Sequence, residues 1–302
     1  MKKILFKMWK CIRTPRLILL WLLCRFPSIV KNDERYICCR WYLTFGTRLN
    51  LKCPQTFREK LNWLKLHYHH PDMSVMVDKY EVKSFVADRI GKKHIVPLLG
   101  VWNCFDDINF AQLPDRFVLK CTHDSHSFVI VKNKRNMDLK RTKRIIERGL
   151  HRNFYYICRE WPYKKLKPRI IAETFLEEEN KECLTDYKFF CFNGEPFMMY
   201  VSNDIASQAT TDFFDMNYKR LSLRMKDPNS KEPLSKPAEF EEMKSFACKL
   251  SAGFPHVRVD FYIINHVVYF GELTFFHNGG FFPIYPSEWD FKLGNMIKLP
   301  DF

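Results

Sequence analysis

The chain has 302 residues, 46% of them hydrophobic and 28 of them Phe, enough for a large core and too apolar for a largely disordered protein. Its net charge of +15 is unevenly placed: residues 1–70 carry 15 Lys/Arg against 3 Asp/Glu, residues 71–170 carry 21 against 11, and the remainder 13 against 20. A cationic first half suits phosphate or a membrane, and an acidic second half suits a metal ion. The eleven cysteines are odd in number, scattered and without a C-x-x-C pair, which argues against zinc ribbons and a disulfide framework and fits a reducing, cytosolic compartment.

The first 32 residues hold eight Lys/Arg and no acid around the apolar run Leu17–Cys24. Eight apolar residues between Arg16 and Arg25 are too few to span a bilayer, which needs about 20. The segment reads as a basic, Trp-containing amphipathic helix, lying on an anionic membrane or packed on the protein body. Thr56 and Glu59 form a capping-box pattern ahead of Leu61, Leu64 and Leu66, predicting a helix over residues 56–66. A second helix is expected from Val75 to Ile90, stopped by Gly91, then a short strand and turn over Ile95–Trp102. Phe117–Cys121 and Phe128–Lys132 read as strands around the polar turn Thr122–Ser127, followed by a basic helix over Arg141–Asn153 and a strand over Arg169–Leu176. Tyr187–Phe192 and Pro196–Val201 flank Asn193-Gly194, the strongest hairpin signal in the chain. A helix over Glu239–Ala252 closed by Gly253 precedes a last hairpin, Val257–Phe276, broken at Asn265-His266. Strands and helices mix without βαβ alternation, so the expected class is α+β with antiparallel sheets, and at this length two lobes are expected.

The chemistry is carried by a few polar residues inside these apolar runs. If the last hairpin turns about His266, Asp260 and Glu272 face each other with Cβ atoms about 5 Å apart, a repulsive pair unless solvated or bridged by a cation such as Mg2+. Lys120 feeds the 122–127 turn, where Ser125, Ser127 and backbone N–H groups could wrap phosphate oxygens; a plain hairpin with a surface lysine fits equally. Glu173, with Phe175 and Leu176 after it, could hold a base edge or be an ordinary strand exit. Lys188 is either an edge device or a partner for a buried anion. Arg258 shares a strand face with Asp260, and His277-Asn278 sits before two glycines that permit close approach to a substrate. No D-x-D motif of the kind common in nucleotide-sugar glycosyltransferases occurs, and no RRM-like signature points to nucleic acid.

From Leu51 to Pro300 the landmarks PQTFREKLNWLKL, VDKYEVK, PLLGVW, FVLKCTHDS, REWPYK, RIIAETFL, DYKFFCFNG, GFPHVRVDFY, GELTFFHNGG and EWDFKLG run in order. In this the chain resembles the ATP-grasp ligases of the teichuronopeptide-biosynthesis type, from bacterial surface-polysaccharide gene clusters. The resemblance implies two α+β subdomains clasping ATP: a basic segment 1–50, a leading region 51–112, and subdomains 113–172 and 173–302. It implies an ATP-dependent carboxylate–amine ligase working through an acyl phosphate, with ATP and Mg2+ as cofactors. Its substrates would be a small-molecule or polysaccharide-precursor carboxylate and an amine acceptor. Lys120, Ser125, Ser127 and Lys188 would contact phosphates; Glu173, Phe175 and Leu176 would line the adenine; Asp260 and Glu272 would hold Mg2+. Arg258, His277 and Asn278 would meet the acyl phosphate and acceptor. The expected location is the cytoplasm, with peripheral contact at the inner face of the plasma membrane. Two positions depart from the pattern: His126 stands where phosphate covers carry glycine, and Thr274 where an Asn follows the metal-binding Glu.

Overall fold

A computed structural model describes residues 15–125, 127–178, 184–205 and 208–300. His126 and residues 1–14 lie outside the described residues, as does most of the acidic 177–182 run.

Helix α1 (Pro15–Arg25) buries none of its residues. The amphipathic helix expected here is, over its described part, apolar on every side, because an unbroken run of eight apolar residues covers more than two turns. Helix α2 (Asp33–Phe45) is capped by Asn32, whose side chain accepts the Arg35 N–H, and ends at Gly46 in the left-handed region. Helix α3 (Phe57–His67) opens with the Thr56/Glu59 capping box. The single helix expected over 75–90 is two, α4 (Met73–Val77) and α5 (Val82–Ile90). Asp78 divides them by accepting the N–H groups of Tyr80 and Glu81 at 2.9 and 3.0 Å, a local alternative to helical bonding.

Four strands, β1 (Leu98–Trp102), β2 (Phe117–Cys121), β3 (Phe128–Val131) and β4 (Ile170–Thr174), make an antiparallel sheet in the order β1-β4-β2-β3. Between β3 and β4 run α6 (Leu139–Leu150) and the single turn α7 (Tyr155–Cys158). The expected 172/173 boundary falls inside β4, and β1 joins the same sheet from the 51–112 segment.

The second antiparallel sheet has the order β7-β6-β5-β8-β9. It comprises β5 (Asp186–Phe192), β6 (Glu195–Ile205), β7 (Gln208–Asp215), β8 (His256–Ile264) and β9 (Val267–Thr274). Helix α8 (Phe240–Ser251) precedes β8, and α9 (Glu288–Met296) ends the fold. The Asn193-Gly194 turn has φ of 51° and 86°, as a tight hairpin with the right twist requires. Alternation along β5 sends Phe189 to α8, against Phe240 at 5.9 Å, and Phe190 and Phe192 to α3, against Phe57 at 6.0 and 6.1 Å. Both faces are therefore packed, and Phe190→Ala would cost about 3–5 kcal/mol. Past the end of α3, the Phe190 face carries a polar stripe: Asp186 and Lys188 on β5, Arg258 and Asp260 on β8.

Candidate active site

The two sheets enclose a cavity of about 430 Å3, in the range of small-molecule sites. Its cationic wall belongs to the first sheet and to α5. Lys120 on β2 and Lys83 on α5 clasp the buried Glu173 of β4 at 2.6 and 2.5 Å. Burial would raise the Glu173 carboxyl, but the two ammonium groups outweigh it and hold it below the usual value, so it stays ionised. Lys79 lines the cavity beside them and donates to the Asp124 carbonyl. Desolvation lowers its pKa, against the opposing pull of Glu272 and Asp124.

Ser125 and Ser127 line the same cavity on the turn after β2. Asp124 closes this turn, accepting the Ser127 N–H at 3.1 Å and its hydroxyl at 2.5 Å. The turn rests on α6 at Gly149, where an added Cβ would come within 2.4 Å of Ser127 Cβ and 2.7 Å of Cys121 Sγ. At the other end, Phe175 and Leu176 join Ile95, Val96 and Tyr262 in an apolar rim. The Arg116 guanidinium lies 4.6 Å over the Phe175 ring and pairs with Glu177 at 2.6 Å.

The opposite wall is acidic. The last hairpin turns on Asn265 and His266, both at positive φ, a two-residue turn that would pair Asp260 with Gly271. A bulge places both Gly271 and Glu272 against Asp260, shifting the register by one residue. The two carboxylates meet through this bulge rather than through a turn centred on His266, and the cation between them is Arg258. Its Nη2 donates to Asp260 Oδ2 at 2.6 Å and to Glu272 Oε1 at 2.7 Å. Lys188 adds a bond to Asp260 at 2.8 Å and pairs with Asp186 at 3.2 Å. Burial would raise Asp260, but Arg258 and Lys188 hold its carboxyl below the ordinary range; for Asp186 burial prevails and the pKa rises.

Behind Arg258, its Nη1 lies 2.9 Å from His277 Nδ1. Burial, then the neighbouring guanidinium, pushes His277 well below the usual histidine value, so the ring is neutral and Nδ1 accepts. Its proton then sits on Nε2, 2.9 Å from Asn278 Nδ2; exchanging the nitrogen and oxygen of that amide lets the Asn278 carbonyl accept the Nε2 proton. Asn278 and Gly279 adopt left-handed φ of 51° and 60°, turning the chain tightly at this point.

Lys120, Ser125, Ser127, Glu173, Phe175, Leu176 and Glu272 thus line one cavity, and Lys188, Arg258, Asp260, His277 and Asn278 form the layer behind Glu272. Sequence reasoning missed Lys79, Lys83 and Asp186. The two lysines had a signal, being four apart at the start of a helical stretch in VDKYEVK. Asp186 had one in its i, i+2 spacing to Lys188. The donor set fits a hard cation in part. Glu272, with 41% of its side chain exposed, can ligate from the cavity, whereas Asp260 is fully buried and both its oxygens are held by Arg258 and Lys188. No group of three His, Cys, Asp or Glu suited to a metal occurs among the described residues.

The family model described as TupA-like ATPgrasp matches residues 59–298. No curated protein matches the sequence significantly. Among solved structures, the D-alanine–D-alanine ligase from Bacillus anthracis complexed with ATP is similar over 67% of this chain and 56% of its own, with 16% identity and a TM-score of 0.40. For the Helicobacter pylori D-alanine–D-alanine ligase the figures are 82%, 68%, 14% and 0.41. For the ATP-grasp ligase PsnB complexed with minimal precursor, Mg and ADP they are 71%, 56%, 11% and 0.38. This chain spans little more than half the length of the Bacillus enzyme and of PsnB. The family assignment rests on the 59–298 match and not on these distant likenesses.

Proposed function

The chain belongs to the TupA-like ATP-grasp family, and from that premise we propose that it is an ATP-dependent carboxylate–amine ligase. The observation that carries this reading is a cavity with a lysine wall facing a carboxylate wall, apolar at one end. The Phe175–Leu176 rim suits a base, and Lys79 and Lys120 suit phosphates, with Ser125 and Ser127 beside them. A substrate carboxylate oxygen attacks the γ-phosphorus, the bond to the β-phosphate oxygen breaks, and ADP leaves. An amine nitrogen then attacks the acyl carbon, phosphate departs with the bridging oxygen, and the amide nitrogen loses its proton to solvent. Arg258, in the layer behind Glu272, would offset charge on the acyl phosphate, with neutral His277 orienting it without competing for the anion. Mg2+ would be held by Glu272, with Asp260 behind it, and would offset phosphate charge.

The substrates we assign are a uronic-acid or amino-acid carboxylate and an amino acid or amino sugar, in the building or modification of a bacterial surface polysaccharide. We place the protein in the cytoplasm, with residues 1–32 touching an anionic membrane. Exposed apolar residues on α1 support that contact, and no helix among the described residues is long and apolar enough to cross a membrane.

One observation favours a second reading, an ATP-binding pseudoenzyme. Both Asp260 oxygens are taken, and Thr274, in place of Asn, spends its hydroxyl on Glu272 at 3.0 Å. The two readings separate in one assay. With Mg2+-ATP, a panel of carboxylates and hydroxylamine as amine, the ligase yields ADP and a hydroxamate, strongly reduced in Lys120→Ala. ATP binding with no hydroxamate from any carboxylate sinks the ligase mechanism and leaves the fold standing.

A further inference from the structure

A second cavity, of about 570 Å3, lies on the other side of the His277–Gly280 turn. Lys31, Lys65, Lys164 and Lys165 line it together with Asp33 and Glu34, so lysines outnumber acids by two to one. Asp33 is already engaged, accepting from the Tyr155 hydroxyl at 2.5 Å and lying 3.6 Å from Arg159 Nε. Lys65, 2% exposed, forms the buried side, where its Nζ donates to the carbonyls of Cys158 at 3.0 Å and Gly279 at 2.8 Å. His67 and His69 add donors, and Trp161 adds an indole face. The ligase mechanism uses none of these side chains.

At Lys31 the lining of this cavity adjoins, along the chain, the most exposed large apolar side chains of the described N-terminal segment. Lys31 follows Ile29, which is 76% exposed, by two residues, and Phe26 and Trp21 before it are 46% and 61% exposed. Two residues span at most about 7 Å of chain. Arg159 fixes this junction against the cavity, donating from Nη2 to the carbonyls of Pro27 at 2.6 Å and Val30 at 2.7 Å. A cationic pocket opening beside an apolar ridge matches an amphiphile with an anionic head and an apolar tail.

We propose that this cavity is a head-group site for an anionic membrane lipid, its phosphate held by Lys31, Lys164 and Lys165 while α1 and the Pro27–Ile29 turn enter the acyl region. The inference rests on the membrane contact proposed above and deepens it, from diffuse attraction to a saturable site. Diffuse attraction depends on the total charge near the surface, whereas a head-group site depends on particular lysines.

The test uses the full chain with vesicles of phosphatidylcholine alone or mixed with phosphatidylglycerol, in co-sedimentation. Binding should require phosphatidylglycerol and saturate. Lys164→Ala/Lys165→Ala should bind about thirtyfold more weakly, about fivefold for each lysine near an anionic surface. The charge-matched control Lys140→Ala/Arg144→Ala, exposed residues on α6, should bind as wild type does. Equal weakening in both pairs, or none in the Lys164/Lys165 pair, overturns the site and leaves a diffuse membrane contact. No vesicle binding by the wild type overturns both the site and the contact. Soluble glycerol phosphate binding as tightly as vesicles overturns the lipid as occupant. ATP binding, measured separately, bears only on the ligase reading.

Discussion

The two walls of the cleft use the same device, buried ion pairs, with opposite sign. On the first sheet one carboxylate, Glu173, lies between Lys83 and Lys120, and Lys79 adds a further cation. On the second sheet three carboxylates, Asp186, Asp260 and Glu272, share Lys188 and Arg258. The first wall therefore has positive charge to spare and the second negative, which polarises the space between them. They differ in rigidity too. Lys120 keeps 32% of its side chain exposed, while Arg258 keeps 8% and Asp260 1%. Lys120 is thus the more open to a ligand, whereas on the acidic wall Arg258 and Asp260 are built into the core and Glu272, 41% exposed, faces the cavity.

That difference predicts a split between stability and activity. Removing one partner of a buried ion pair costs about 3–5 kcal/mol, because the other charge is left unpaired. Asp260→Asn should thus lower stability by about 3 kcal/mol in urea unfolding and abolish ADP release. Glu272→Gln, at the exposed end of the same network, should also abolish ADP release while changing stability by about 1 kcal/mol or less. Equal destabilisation by the two would break the contrast between a sealed and an open carboxylate.

A smaller effect is expected on the lysine wall at Gly149. Overpacking of this kind costs about 1–3 kcal/mol, against a gain of up to about 1 kcal/mol in helix propensity. Gly149→Ala should therefore destabilise by about 1–2 kcal/mol and weaken ATP binding by displacing the Ser125–Ser127 turn. Weaker binding with an unchanged melting temperature would mean that the turn moves freely on α6.

A further effect, small at neutral pH and growing with acid, is a slope with pH on the core side of the acidic wall. His256 is buried among Phe57, Phe190 and Phe192, with Nδ1 2.9 Å from the Cys191 carbonyl, and burial lowers its pKa from 6.5 to about 3. Between those values the unfolded chain binds the proton and the folded chain does not. Its contribution to stability is therefore full above pH 6.5 and falls by about 1.4 kcal/mol per pH unit below it. Unfolding free energies measured from pH 7 to 4 should show this slope, and His256→Asn, which keeps a donor for Cys191, should be shallower by one proton.

Much of this molecule is legible from local patterns. The Thr56 capping box, the strand Phe117–Cys121 and the Asn193-Gly194 hairpin are set by neighbours in sequence, and each lies where its residues place it. The division of α4 from α5 was open to reading too, since an Asp followed by backbone donors two and three residues on competes with helix. The partner of the Asp260–Glu272 pair was not legible. Which cation bridges two strand carboxylates depends on a bulge at Gly271 and on the rotamer of Arg258, and neither follows from spacing. Lys83 and Glu173 are ninety residues apart in the chain and meet only because α5, packed against α8 in the core of the second sheet, reaches β4 with its lysine.

The central claim is that the polarised cavity binds Mg2+-ATP, and calorimetric titration of the full chain tests it most directly. One site per chain is expected, with binding weakened at least tenfold in Lys120→Ala, since that lysine brings a point charge to the phosphates. Heat from Mg2+-ATP that is unchanged in Lys120→Ala would place the nucleotide elsewhere, and no heat at all from the wild type would contradict the account.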